Sequence, residues 1–209
     1  MFYIIMFCLV SLVFRIIFNI KVTGKEIIQE YKSNGRPYVI CANHISMLDP
    51  IFIVIVRGWG KKLSILGKAE LFKGPILSWM FTQVGVIPVE RGKGDKGVIE
   101  KAMSDIKNGS GMLIFPEGTR SGSNQMGKIK SGALMIAAGT SADIIPCRII
   151  YDTKDGGMKF FGKVVVNFGK PLTIEETQLD SGSRQQIRDT KVMLEDSLNN
   201  LLEEYNANH

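Results

Sequence analysis

The chain predicts an α/β domain whose helices pack on a mixed, largely parallel central sheet, with a membrane-associated helix at its N-terminus. Two observations carry that fold class. Short β-branched runs alternate with helix-length stretches from Tyr38 to Phe168, the pattern of strands joined through crossover helices. The 209 residues are 45% apolar and 22% charged, with no repeat or low-complexity tract, which suits one sizeable core. A third observation sets the front end apart, because residues 1–20 are nearly all Phe, Ile, Leu, Val and Met.

That front stretch runs for about 14 residues before Arg15, shorter than a usual bilayer span. It has neither a basic leader nor a small-residue cleavage site, so it reads as a retained segment. Residues 1–21 are therefore expected to anchor the chain in the membrane, lying in one leaflet or crossing it with Arg15 reaching for the headgroups. Residues 22–209 form the α/β domain. Lys21 and Lys25 on the flank assign that domain to the cytoplasmic side of the cell membrane.

The helix-like run Glu26 to Lys32 stops at Asn34-Gly35, with Pro37 beyond. Tyr38 to Ala42 follows as a strand. Asp49-Pro50 reads as a cap with proline in the first turn, opening a helix over Ile51 to Val56 that is too apolar to meet water. Leu63 to Leu66 is a strand, Pro75 to Gln83 a helix, Val86 to Val89 a strand, and Asp95 to Lys107 a helix closed by Asn108-Gly109. Met112 to Phe115 is a strand and Gly132 to Ala138 a helix of small apolar residues, before the strands Ile144 to Ile150 and Lys163 to Phe168. Thr173 and Glu176 form a capping box. From Arg184, the residues Ile187, Leu194, Leu198, Leu201 and Tyr205 recur at helical spacing and predict an amphipathic helix laid over the sheet.

The formal charge of +6 suits an anionic membrane surface or a phosphorylated substrate. No basic stretch carries the aromatic residues that stack bases, so nucleic acid is not an expected partner. Cys8, Cys41 and Cys147 are scattered in apolar surroundings, and with a single interior histidine they make no metal-ligand set.

That histidine, His44, is the candidate for base chemistry. It follows a strand, and Asp49 opens a helix five positions on, so a short loop can fold the carboxylate back onto the imidazole. Phe115-Pro116-Glu117-Gly118-Thr119-Arg120-Ser121 also follows a strand, and offers backbone N–H groups, hydroxyls and a guanidinium to a phosphate monoester. Arg91, just past another strand, would converge on the same sheet edge. Plainer alternatives stay open from these residues: a capping Asp49, a backbone-satisfied His44, and a simple Pro-Gly turn at Pro116. A hydrolase with Ser46 or Cys41 as nucleophile and a non-catalytic module binding anionic phospholipid also remain.

Asn43 to Asp49, Gly85 to Arg91, Phe115 to Ser121 and Ile145-Pro146-Cys147, in this order, resemble the four sequence blocks of the glycerolipid acyltransferases, closest to the 1-acyl-sn-glycerol-3-phosphate O-acyltransferase branch. The resemblance implies His44 as catalytic base and Asp49 as its orienting partner. It implies Glu117, Gly118, Thr119, Arg120 and Arg91 on the substrate phosphate, and Lys68 as a further basic residue there. Cys147 stands where relatives commonly have an aliphatic side chain. The implied substrates are lysophosphatidic acid and an acyl thioester, either acyl-CoA or acyl carrier protein. Glycerol 3-phosphate or another lysophospholipid is the alternative acceptor, and no bound cofactor is implied.

Overall fold

The computed structural model describes residues 2–83, 85–89 and 96–208. Helix α1 (Phe2–Ile17) leads into β1 (Asn19–Thr23), α2 (Lys25–Asn34), β2 (Tyr38–Ala42), α3 (Asp49–Arg57) and β3 (Ser64–Lys68). A 3-10 turn over Ala69–Phe72 precedes α4 (Pro75–Gln83), β4 (Val86–Val89), α5 (Lys96–Lys107), β5 (Met112–Ile114) and α6 (Gly132–Thr140). Strands β6 (Asp143–Tyr151) and β7 (Lys163–Phe168) and helices α7 (Ile174–Thr177) and α8 (Arg184–Ala207) complete the chain.

The strands form one sheet in the order β1-β7-β6-β2-β5-β3-β4. Every neighbouring pair is parallel except β6 with β7, so the sheet is mixed and largely parallel as the alternation predicts. All residues of β2 and β6 are buried, because helices cover both faces at the centre. Ile40, Ala42, Ile145 and Cys147 face α2, α3 and the end of α1, while Val39, Cys41 and Ile144 face α5, α6 and α8.

Strand direction decides what meets at each edge. Strands β2, β5 and β6 run parallel, β7 runs back against β6, and β1 runs with β7. The carboxyl ends of β2, β5 and β6 therefore share an edge with the amino ends of β1 and β7, and α1 is joined to the domain at that edge. Gly24 turns the chain from β1 into α2 at a φ of 67°, with Phe168 O where a Cβ would stand, 2.1 Å away. Only glycine fits such a turn.

The break expected after residue 21 falls inside β1, whose residues Asn19, Ile20 and Lys21 pair with Lys163, Val164 and Val165. Asn-Ile-Lys-Val-Thr alternates in burial as an edge strand should, but it directly follows an apolar run that hides the change of period. Helix α1 itself packs against the core through Phe14 and Ile17, and the buried Phe18 follows it. Its other side leaves Ile5, Leu9, Leu12 and Ile16 exposed. Among the described residues no helix is long and apolar enough to cross a membrane.

Helix α3 carries Pro50 in its first turn and buries Phe52, Ile53, Ile55 and Val56. Each such side chain contributes roughly 1.5–3 kcal/mol relative to exposure. The expected capping role of Asp49 is corrected: the cap position is Leu48, no side chain caps the helix, and the Asp49 carboxylate points into the preceding loop. Thr173 does cap a helix, its Oγ1 accepting from Glu176 N at 3.1 Å, but that helix is the short α7. The long amphipathic α8 has its own cap in Ser183.

Candidate active site

Asn43 begins the site by prolonging β2 with a side chain. Its Nδ2 donates to Ile149 O at 3.0 Å, and its Oδ1 accepts from Ile149 N at 2.7 Å, so the amide mimics one more strand pair and fixes the start of the loop against β6. His44 follows at the carboxyl edge. Its imidazole lies on the Phe115 ring, with centroids 4.1 Å apart and planes inclined by 23°.

Asp49 is fully buried and reaches back over the loop between β2 and α3. Its Oδ2 accepts from Ile45 N at 2.6 Å and Ser46 N at 2.8 Å and meets His44 Nδ1 at 2.8 Å, while Oδ1 accepts from the Tyr151 hydroxyl at 2.6 Å. A carboxylate oxygen surrounded by donors accepts, so the imidazole proton on this side belongs to Nδ1 and the lone pair is left on Nε2. No group among the described residues bonds to Nε2. Burial, and then the neighbouring Asp49, drive the Tyr151 phenol far above its ordinary value and keep it a donor.

The loop after β5 grips the histidine backbone from the other side. Glu117 Oε1 accepts from His44 N at 2.8 Å, and Ser121 N donates to His44 O at 2.8 Å. The second Glu117 oxygen accepts from Gly127 N at 2.6 Å. Glu117 is thus buried with both oxygens on backbone amides. A carboxylate accepts readily from N–H groups, so Glu117 holds the histidine backbone in place.

Gly118 turns the loop at a φ of 72°, in a space where a Cβ would lie 2.7 Å from Lys130 Nζ. Thr119 and Arg120 are exposed directly beyond, and no ion pair among the described residues engages Arg120. Lys68 ends β3 at the same edge but is ion-paired with Glu70 at 2.9 Å. Arg91 lies outside the described residues.

Tyr151 and Arg148 escaped the sequence reading, and Asn43 entered it only as the start of a block, without a role. Tyr151 and Asn43 act across the register of β2 with β6, which no local pattern shows. Arg148 is buried behind Glu117, where its Nη2 donates to Asn124 O and its Nε and Nη1 have no hydrogen-bond partner among the described residues. Burial lowers its pKa, offset in part by the Glu117 charge. The nucleophile alternatives fare poorly on geometry. Cys41 is wholly buried on the opposite face of β2, with its thiol pushed up to about 12 by burial. Ser46 Oγ accepts from Leu48 N at 3.2 Å inside its own turn.

Comparison with known proteins places the sequence in a family. The family described as Acyltransferase matches residues 19–150. A chloroplastic 1-acyl-sn-glycerol-3-phosphate acyltransferase of Arabidopsis thaliana is 30% identical over 162 residues, covering 74% of this chain and 44% of that protein. A 1-acyl-sn-glycerol-3-phosphate acyltransferase of Borreliella burgdorferi is 30% identical over 158 residues, covering 75% of this chain and 59% of that protein. The chain spans about half the length of the curated relatives it matches. The crystal structure of the 1-acyl-sn-glycerophosphate acyltransferase from Thermotoga maritima shares the fold, with a TM-score of 0.67 over 90% of this chain and 73% of its own, at 23% identity. With its four blocks in order and the family match over most of the domain, the chain belongs to the Acyltransferase family.

Proposed function

We propose that the chain transfers a fatty acyl group from an acyl thioester to the free sn-2 hydroxyl of 1-acylglycerol 3-phosphate, giving phosphatidic acid for phospholipid synthesis. The observation that carries this reading is the 2.8 Å contact of His44 Nδ1 with the buried Asp49 carboxylate, which leaves Nε2 as the open base at the sheet edge where Arg120 is exposed. Relatives named for this reaction support the choice of acceptor.

In the proposed step Nε2 takes the proton of the acceptor hydroxyl as its oxygen attacks the thioester carbonyl. The carbon–sulfur bond breaks, the ester bond forms, and the imidazolium returns the proton to the departing thiolate. Asp49 holds the tautomer and stabilises the imidazolium, the task of the carboxylate in serine-hydrolase triads. Thr119, Arg120 and the Gly118 turn hold the acceptor's phosphate, with Arg91 and Lys68 as further cations, while Glu117 serves as a positioning residue that seats the His44 backbone. The exposed apolar side of α1 rests in the acyl region on the cytoplasmic side of the membrane, where both lipid chains enter the site.

The test is thiol release from an acyl donor with purified protein. His44→Ala is expected to lose about 10²–10⁴ in rate while keeping its fold. Arg120→Ala is expected to lose turnover on lysophosphatidic acid but not on its dephosphorylated analogue. Near-normal turnover by His44→Ala, or an Arg120→Ala defect that ignores the acceptor's phosphate, overturns the assignment.

A further inference from the structure

The connection from β6 to β7 ends in the turn Lys159-Phe160-Phe161-Gly162, closed by Gly162 N donating to Lys159 O at 3.2 Å. Its two central residues are the aromatics, 66% and 80% exposed, and Phe161 is the most exposed large apolar side chain among the described residues. Phe161 also holds a φ of 60°. A turn position of positive φ favours glycine or asparagine, and a bulky residue there is a strained outlier. Glycine stands one place further on, so the chain keeps a phenyl ring where both water and backbone oppose it. Such a double breach of local preference is expected where a function holds the residue.

The turn is firmly held at the catalytic edge. It precedes β7, whose amino end shares that edge with the carboxyl end of β2 and so with His44. Asn19 N donates to Gly162 O at 3.1 Å, and Gly156 of the same connection abuts Asn124 in the loop after Glu117. The Phe160 ring stacks on Phe18, with centroids 5.9 Å apart. Phe18 follows α1, so the exposed strip that includes Leu12 and Ile16 leads toward the turn. Nearby charges are largely matched, Lys159 with Asp155 at 3.7 Å and Lys163 with Asp152 at 3.1 Å, which leaves the rings as the distinctive surface.

We infer that Phe160 and Phe161 insert into the acyl region of a lipid bilayer, as an anchor separate from α1 that turns the His44 edge toward the membrane. Two phenyl rings offer roughly 300–500 Å² for burial. A stable protein interface takes about 800 Å² from each partner, whereas a bilayer sets no such threshold and accepts a projecting apolar tip. The inference rests on the acyl-transfer reading only for the use of the anchor, which brings the site to a lipid acceptor, and insertion itself is measured without turnover.

The experiment uses the full chain, diluted from detergent into vesicles of phosphatidylcholine alone or with phosphatidylglycerol added. Phe160→Ser/Phe161→Ser, and Phe161→Gly, which relieves the backbone, are expected to fold as the wild type does by circular dichroism. The double variant is expected to partition about tenfold or more weakly onto both kinds of vesicle, because the lost contact is apolar, and Phe161→Gly to show part of that loss. A nitroxide on Phe161→Cys, in a Cys8→Ser background, is expected to enter the lipid phase, while one on Val192→Cys, exposed on α8 across the sheet, stays in water. Turnover on vesicle-borne lysophosphatidic acid is expected to fall with partitioning, and turnover on a short-chain acceptor dissolved as monomers to stay constant. The inference is overturned if the variants partition as the wild type does, if the label at position 161 stays in water, or if the serine substitutions dissociate a dimer of the lipid-free protein, which would assign the tip to a second copy. Insertion that the variants lose, with no acyl transfer to any acceptor, would sustain the anchor and sink the acyl-transfer reading instead.

Discussion

Asp49 is a buried carboxylate that accepts from two backbone amides, one imidazole and one phenol. Removing the phenolic O–H leaves Oδ1 buried without a donor, and a hydrogen bond to a charged group is worth about 1.5–3 kcal/mol. Tyr151→Phe is therefore expected to lower the thermal midpoint and to reduce kcat about tenfold while leaving KM for either substrate nearly unchanged, as thermal melts and steady-state kinetics will read. The pairing of His44 with Asp49 was legible because both ends of their short loop are marked in the sequence, by a strand on one side and an Asp-Pro helix start on the other. Tyr151 was not, because it lies 102 positions from Asp49 and reaches it only through the sheet register. Glu117 was legible as part of a loop motif, but its two backbone-amide partners were not, since the motif does not tell which way the carboxylate turns.

Among the elements, α1 bears the greatest mismatch between composition and surroundings. Ile16 is 71% exposed and Leu12 60%, beside the exposed Ile5 and Leu9. A contiguous apolar strip of this kind marks a contact with lipid or protein. Leu12→Gln/Ile16→Gln is expected to weaken partitioning onto anionic lipid vesicles by about tenfold or more with the fold intact, measured by co-sedimentation and circular dichroism. Unchanged sedimentation would remove the membrane role given to this helix. Most elements were legible from their punctuation: Asn34-Gly35 ends α2, Pro50 opens α3, and Val86 to Val89 has the bounds of β4. Strand β1 was not, for its five residues continue an apolar run and declare themselves only by pairing with β7.

For the molecule as a whole, the buried acids at the sheet centre set an alkaline limit. Burial raises the Cys41 thiol from 9.0 to about 12, and Cys147, Tyr38 and Tyr151 move in the same direction. A raised folded-state value means that the folded chain keeps protons the unfolded chain gives up. Their contribution is fully present below the unfolded value and is lost as pH rises through the folded one. Urea midpoints are expected to fall steadily above about pH 9, and Cys41→Ala to fall less steeply. The alternation of elements announced a mixed sheet, but the strand order and the reversal at β7 depend on pairing between distant segments, which composition does not encode. That reversal has a practical result for β1. A shortened protein freed of its greasy leader should begin at Phe18, because a cut after Lys21 would strip three residues from the border strand, bare the backbone of β7, and invite neighbouring molecules to stack there as aggregates.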